Sequence, residues 1–177
     1  MVTGATGFTG SHLTRRLLEL GHDVSCLVRP TSDPALVEEF RSKGATIITG
    51  DVTDRDCVFQ AVAGNDYVFH IAALFRQAKF PDQIYWDVNV GGTVNVLDAA
   101  EAAGVEKMVH CSTGGVHSHI DNPPADESTP YRPSDIYQVT KCEAEKLALE
   151  RFRSGRLRGT VIRPAMIWGE GDRRILK

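Results

Sequence analysis

Residues 2–10 read Val-Thr-Gly-Ala-Thr-Gly-Phe-Thr-Gly, which places glycines at positions 4, 7 and 10 just ahead of a helical pattern. Three glycines so spaced suit a strand–turn–helix junction. Gly4 permits a turn that a side chain would block, Gly7 lets the backbone approach a pyrophosphate closely, and Gly10 lets the helix pack near the sheet. The amide N–H groups and positive dipole end of that helix then face the anion. The spacing is wider than G-x-G-x-x-G, and alone it also fits a plain glycine loop. Its place at the head of a β-α-β unit favours the phosphate site.

Outward from the turn, Gly10 to Leu20 carries Leu13, Leu17, Leu18 and Leu20 on one stripe, with Gly21 as the stop. The patterning predicts strands at 23–29, 46–52, 66–73, 107–112 and 160–164. It predicts further helices at 35–43, from a cap at Thr53 or Asp54 to 63, at 84–103, and at 134–152 with Ser134 or Asp135 as cap. This alternation is that of an α/β fold, a doubly wound parallel sheet with helices on both faces. The connection 114–133, rich in Pro, Asp and Ser, is longer than most and marks a functional loop. Only Met1 and Val2 precede the turn, and the chain stops on RRILK at 173–177. Both ends predict that residues 1–177 are one nucleotide-binding domain of a longer chain, with a small substrate domain beyond.

Hydrophobic residues make up 42%, charged residues 24%, and the formal net charge is −3, so a globular domain with a substantial core is expected. That balance gives no attraction to nucleic acid or to an anionic membrane. No apolar run approaches the roughly 20 residues that span a bilayer, and the start lacks the basic-then-apolar order of a signal peptide. Cys26, Cys57, Cys111 and Cys142 are far apart with no Cys-x-x-Cys pair, which predicts free thiols in a reducing cytoplasm. His117 and His119 lack a third ligand at metal-site spacing, so no metal is expected.

Three positions carry the chemistry. Arg29 stands at the end of the second strand, where an acidic residue would hold the ribose 2′-hydroxyl of NAD. A guanidinium suits a 2′-phosphate instead, favouring NADP over NAD, unless it is simply a solvated arginine at a strand end. Tyr137 and Lys141 lie four apart on a predicted helix and share a face. A tyrosine titrates near pH 10 when free, and a neighbouring ammonium lowers that value toward neutrality. The same spacing also occurs as a surface helix pair; the placement of Tyr137 after the fifth strand, at the carboxyl edge of the sheet, favours the acid–base pair.

Seven segments in order resemble the extended short-chain dehydrogenase/reductase family, which includes nucleotide-sugar epimerases and dehydratases and dihydroflavonol-reductase-like enzymes. They are TGATGFTG from Thr3, GDVTD from Gly50, HIAA from His70, NVGGTVNVL from Asn89, CSTGGVH from Cys111, YQVTK from Tyr137 and RPAMIWGEGD from Arg163. The resemblance implies a Rossmann-type fold, NADP or NAD as cofactor, a small-molecule substrate and hydride transfer. Carried over by position, Gly4, Thr6, Gly7, Phe8, Thr9 and Gly10 hold the cofactor's phosphates. Asp51 and Val52 flank the adenine, while Ile71, Ala72 and Ala73 line the ribose and pyrophosphate. Cys111, Tyr137, Lys141 and Pro164 complete the cofactor contacts. Thr113 is implied as the catalytic hydroxyl, Tyr137 as acid/base, Lys141 as its partner, and Asn89 as the organiser of a water near Lys141. Glu127 reads as structural, and His117 receives no role. A homodimer through helices 84–103 and 134–152 is implied by analogy alone.

Two function classes stay open: an enzyme, either a carbonyl reductase or an epimerase/dehydratase, and a non-catalytic NAD(P)-binding sensor. The presence of Thr113, Tyr137 and Lys141 together favours the enzyme.

Overall fold

The glycine turn is launched by a strand of two residues, β1 (Val2–Thr3), both fully buried. So short a strand is held because it has neighbours on both sides. Val2 pairs with Cys26 and with Phe69, and Thr3 with Leu27 and His70. The computed structural model describes residues 1–75 and 80–172; the RRILK end lies outside them.

From the turn the chain enters α1 (Phe8–Glu19), β2 (Ser25–Val28), α2 (Pro34–Ser42), β3 (Thr46–Thr49), α3 (Arg55–Val62) and β4 (Tyr67–His70). It continues through α4 (Asp82–Tyr85), a π-helical segment (Trp86–Gly91), α5 (Gly92–Ala102), β5 (Lys107–Cys111), a 3-10 turn (Gly114–Val116), α6 (Ile136–Arg153) and β6 (Gly159–Ile162). Among the described residues the strands form one parallel sheet in the order β3-β2-β1-β4-β5-β6. This is the doubly wound Rossmann arrangement expected from the sequence. β1 and β4 flank the point where the strand order reverses, the place where such sheets bind ligands.

Alternation along the strands divides the core between two faces. Val24, Cys26 and Val28 pack with Phe40 and with Leu13, Leu17 and Leu18 under α1 and α2. Leu27, Val68 and Met108 pack on the other face with Val58, Val62, Val96, Leu97 and Ala148 under α3, α5 and α6. Leu20 leaves its expected stripe and is 55% exposed. It is the C-cap residue, and the chain reverses at Gly21 (φ +79°) with Gly21 N donating to Leu18 O and His22 N to Leu17 O.

Caps fix the other helix starts. Asp33, Asp54 and Asp135 accept from the amides of Ala35, Cys57 and Gln138. Thr53 and Ser134, the alternatives, instead donate to Asp51 and Gln138. The strands end earlier than the apolar runs. β4 ends at His70: the Ile71 amide is shared between Thr3 O and Thr3 Oγ1, the Ala72 amide turns to Thr3 Oγ1, and β3 stops before Asp51 closes a turn onto Thr53. The single helix expected at 84–103 is divided by the π-helical segment, which ends in Gly91 and is followed by Gly92. A Cβ on Gly92 would sit 2.6 Å from Val52 Cγ2, so glycine permits the helix to cross the loop after β3. No helix among the described residues is long and apolar enough to cross a membrane.

Candidate active site

The glycine turn is built by contact with backbone, which no side chain could tolerate. Gly4 has φ +70°, and a Cβ there would lie 2.7 Å from Ala72 N. A Cβ on Gly10 would lie 2.0 Å from Gly4 O, so the obstacle is the turn itself rather than the sheet. At Gly7 the nearest atom is Gly4 O at 3.2 Å, and Gly7 donates to that oxygen at 2.9 Å. Gly7 caps α1 without a side chain, and no acidic residue stands in the first turn. The helix end therefore presents unneutralised positive dipole, which favours a phosphate. Thr6 Oγ1 donates to Ser32 Oγ at 3.0 Å and ties the turn to the loop after β2. Phe8 packs edge-on to His12, and Thr9 is half-buried.

Around this turn stand the other residues singled out for a dinucleotide. Arg29 directly follows β2, is exposed, and makes no ion pair among the described residues. Asp51 Oδ1 accepts from Thr53 N and Thr53 Oγ1, both at 2.9 Å, and Val52 is buried. A cavity of about 620 Å³ opens beside Asp51, between the loop after β3 and the face of the π-helical segment bearing Val88 and Gly91. Ile71 and Ala72 are half-buried and Ala73 is exposed at the carboxyl edge.

Tyr137 and Lys141 occupy the first turns of α6, buried and one turn apart. Tyr137 packs with Leu74 and Tyr85, and Phe75 meets its ring edge-on at 5.0 Å. Lys141 is 2% exposed, and its Nζ donates to Cys111 O at 2.7 Å. Burial pushes its pKa down to about 8, against upward pulls from Cys111 and Glu145, so it still carries its proton at neutral pH. Thr113, two residues beyond that carbonyl, caps the 3-10 turn by accepting from Gly115 N at 3.1 Å. Its O–H proton is uncommitted among the described residues. Gly114 N donates to Pro164 O at 2.8 Å, which brings the end of β6 to the same edge. The fold thus places a hydroxyl, a phenol and an ammonium on adjoining elements at the carboxyl edge.

Asn89 sits inside the π-helical segment and is 1% exposed. Its Oδ1 accepts from Leu74 N at 2.7 Å, while Nδ2 donates to Leu74 O at 3.2 Å and to Thr140 Oγ1 at 3.0 Å. It therefore brackets the backbone of Leu74, taking the N–H of one peptide and the C=O of the next, and reaches the neighbour of Lys141. A π-turn rotates the following residues by a fraction of a turn, and such insertions favour functional sites.

Beneath these groups lie His70 and His110, paired across β4 and β5 with ring centroids 5.5 Å apart. Burial, with the Lys141 charge second, pushes His70 down to about 3 and His110 well below its ordinary value. Both rings stay neutral in the folded chain, whereas unfolded histidine takes a proton near pH 6.5. Their contribution is therefore fully present above pH 6.5 and is lost as pH falls from there toward about 3. By pH 5, where most carboxylates are still ionised, His70 alone should cost about 2 kcal/mol. The urea midpoint should drop between pH 7.5 and 5, and a flat midpoint across that window would contradict it.

A second buried cluster was not singled out in the sequence. Glu145, fully buried on α6 four residues beyond Lys141, accepts from Ser112 Oγ at 2.5 Å, Tyr131 OH at 2.6 Å and Arg163 Nη2 at 2.6 Å. Its pKa falls below the usual carboxylate range: burial raises it, and the bonds from Arg163, Ser112 and Tyr131 outweigh that. Arg163 Nη1 also meets His117 Nε2 at 3.1 Å, and His117 Nδ1 lies 3.2 Å from Pro130 O. The available signal was the continuation of Tyr137 and Lys141 at helical spacing to Glu145. His117 thus has structural partners. Glu127 is exposed, and the cysteines are free, with Cys26 and Cys142 buried.

Fold and edge together define a Rossmann-type domain with a bare glycine turn at the head of α1 and a buried Tyr–Lys pair on α6. The model of the NAD dependent epimerase/dehydratase family matches residues 1–176, and the chain belongs to that family, within the extended short-chain dehydrogenases/reductases. It is 35% identical over 193 aligned residues to a 3-beta-hydroxysteroid dehydrogenase of Mycolicibacterium neoaurum, covering 100% of this chain and 50% of that protein. It is 38% identical to a 4-hydroxy-2-methyl-3-oxo-4-farnesyl-3,4-dihydroquinoline-1-oxide ketoreductase of Stigmatella aurantiaca, covering 97% of this chain and 51% of that protein. Among solved structures, a dTDP-glucose 4,6-dehydratase of Streptomyces venezuelae with NAD bound superposes with TM-score 0.84 at 28% identity, covering 92% of this chain and 54% of that one. The chain spans about half the length of these relatives.

Proposed function

We propose that this chain is the nucleotide-binding part of an NAD(P)-dependent oxidoreductase or epimerase, with Tyr137 as the acid/base, acting on a nucleotide sugar or small carbonyl compound. The observation that carries the reading is the buried Lys141, its ammonium held on Cys111 O one helical turn from Tyr137 and two residues from Thr113. The bare glycine cradle at the head of α1 fits a pyrophosphate, since a Cβ at Gly4 or Gly10 would strike backbone.

In this reading the Gly4–Gly10 turn would hold the phosphates of a dinucleotide, Asp51 would accept from its adenine, and Lys141 would donate to the ribose beside the nicotinamide. When bound, that group would supply hydride chemistry. Thr113 donates its free O–H to the substrate oxygen, and the Lys141 charge favours the Tyr137 phenolate, so that Tyr137 gives or takes the substrate proton. Phe75 and Leu74 pack against the Tyr137 ring and hold its orientation. Asn89 sets the Leu74 peptide and, through Thr140, the register of the helix carrying both residues. The relatives' names span a hydroxysteroid dehydrogenase, a ketoreductase and a nucleotide-sugar dehydratase, all of which begin from a carbonyl or its alcohol.

Tyr137→Phe should lower turnover by about 10²–10⁴ while leaving dinucleotide affinity intact. The measurement is a screen of nucleotide sugars and ketones with reduced and oxidised cofactor; unchanged turnover in the variant would sink the mechanism. For the cofactor, the exposed Arg29 favours NADP(H). Arg29→Asp should shift the NADP/NAD affinity ratio toward NAD by about 10- to 100-fold, the worth of a charge-assisted contact. Equal affinities for both in the unmutated chain would defeat this reading of Arg29.

A further inference from the structure

A line of buried groups runs from the glycine turn to the π-helical segment: Thr3, His70, Thr93 and the Asn89 carbonyl. Thr3 Oγ1 lies 2.8 Å from His70 Nδ1, His70 Nε2 lies 3.0 Å from Thr93 Oγ1, and Thr93 Oγ1 donates to Asn89 O at 2.6 Å. All four residues are at most 1% exposed.

The hydrogens along this line have one arrangement. A carbonyl only accepts, so the single hydroxyl proton of Thr93 goes to Asn89 O, and Thr93 must accept from Nε2–H. The ring is neutral, because burial holds its pKa down to about 3. It carries one N–H, so Nδ1 presents a lone pair, and Thr3 donates to it. The lone pairs of Thr3 Oγ1 then take the Ile71 and Ala72 amides, each at 3.2 Å. His110, beside this ring, takes no part; neither of its nitrogens has a hydrogen-bond partner among the described residues.

Each end of the line holds a piece of backbone at the cofactor edge. At one end Thr3 fixes the Ile71–Ala72 peptide at the distance where a Cβ on Gly4 would meet Ala72 N at 2.7 Å. At the other, Asn89 brackets Leu74 by its N–H and C=O and bonds Thr140, the neighbour of Lys141. One imidazole therefore stands between the glycine turn and the helix bearing Tyr137 and Lys141.

We propose that His70, as its Nε2–H tautomer, is a positioning residue for the dinucleotide: it sets the spacing between the glycine turn and the 71–74 backbone and couples that cradle to α6. This rests on the dinucleotide reading above. A ring that merely filled space would leave Thr3 and Thr93 independent of each other. A relay makes them act as one, because cutting either end releases the same imidazole.

The test uses Thr3→Val, Thr93→Val and the double variant, with NADP⁺ and NAD⁺ as probes in binding titrations, beside ¹⁵N spectra of the histidine rings of the unmutated chain. Each single variant should weaken the preferred dinucleotide about tenfold, and the double variant also about tenfold rather than about a hundredfold. Thr93→Ser should restore most of the affinity. The spectra should show His70 protonated on Nε2 and bare on Nδ1. Additive losses, single effects within about twofold, or an Nδ1–H ring would each overturn the relay. The tautomer measurement needs no variant, so it decides even where a valine substitution unfolds the chain. If the unmutated chain binds neither dinucleotide, the cofactor reading itself falls and this one with it; binding with additive losses sinks the relay alone.

Discussion

Gly10→Ala is expected to destabilise the chain by at least about 3 kcal/mol and to abolish dinucleotide binding. The sign is the informative part. In an ordinary helix, replacing glycine by alanine gains about 0.5–1 kcal/mol, because alanine surrenders less backbone freedom on folding. Gly10 is inside α1, so propensity alone predicts a gain. The new Cβ would instead sit 2.0 Å from Gly4 O, 2.7 Å from Gly4 C and 3.1 Å from Ala5 Cα. Every one of these is backbone, and Gly4 O is already engaged by Gly7 N at 2.9 Å. Nothing flexible can yield, so either α1 must lift from the turn or the turn must open. Gly91→Ala is the internal control. It is also helical, its nearest contact would be Trp86 O at 3.8 Å, and it should change stability by no more than about 1 kcal/mol, toward gain. Urea midpoints of the two variants provide the comparison. A Gly10→Ala chain as stable as the parent would mean that the turn is not the rigid cradle described above.

That contrast also marks how far the sequence could be read. The parallel sheet covered by helices on both faces follows from alternating patterns, and the tight turn at the head of α1 from three glycines, because both depend on local chemistry. Tyr137 and Lys141 were legible as candidates because helical spacing and a strand end say which side chains share an edge, and Thr113 through the resemblance carried by CSTGGVH. Three things were not legible. The π-helical turn was hidden because a helical pattern with one extra residue looks like a helix. Strand ends were overestimated because the terminating bonds, such as Ile71 and Ala72 to Thr3, come from residues far away in sequence. The buried networks on His70 and Glu145 need partners from four or more segments each, which no single-chain pattern specifies. In the sequence a buried glutamate on a mixed helix is indistinguishable from a solvated one.

The Glu145 network yields the second large effect. Glu145→Leu is expected to cost about 3–5 kcal/mol, the range for removing one partner of a buried ion pair. The loss would leave the Arg163 guanidinium, only 19% exposed at its side chain, without its carboxylate, and the Ser112 and Tyr131 hydroxyls without their acceptor. Surface pairs in the same chain offer a scale. Arg16–Glu19, with side chains 65% and 59% exposed, should contribute at most about 1 kcal/mol. Much of the Glu145→Leu cost comes from the stranded guanidinium, so removing it as well should recover part of the loss. Glu145→Leu/Arg163→Met should therefore be less damaging than the sum of the single variants, with a coupling of about 2 kcal/mol. The sign with pH separates this network from the buried histidines. The folded carboxyl of Glu145 titrates below its usual value, so its stabilisation is present above about pH 4.3 and is lost only as pH falls below that. Between pH 7.5 and 5 the Glu145→Leu deficit should stay constant while the parent weakens through His70. The same carboxylate joins Ser112, next to Thr113, to Tyr131 in the connection before α6, so loosening it should reach the hydroxyl as well as the fold. A deficit under about 1 kcal/mol, or strictly additive single and double variants, would show that burial at Glu145 carries no coupled network.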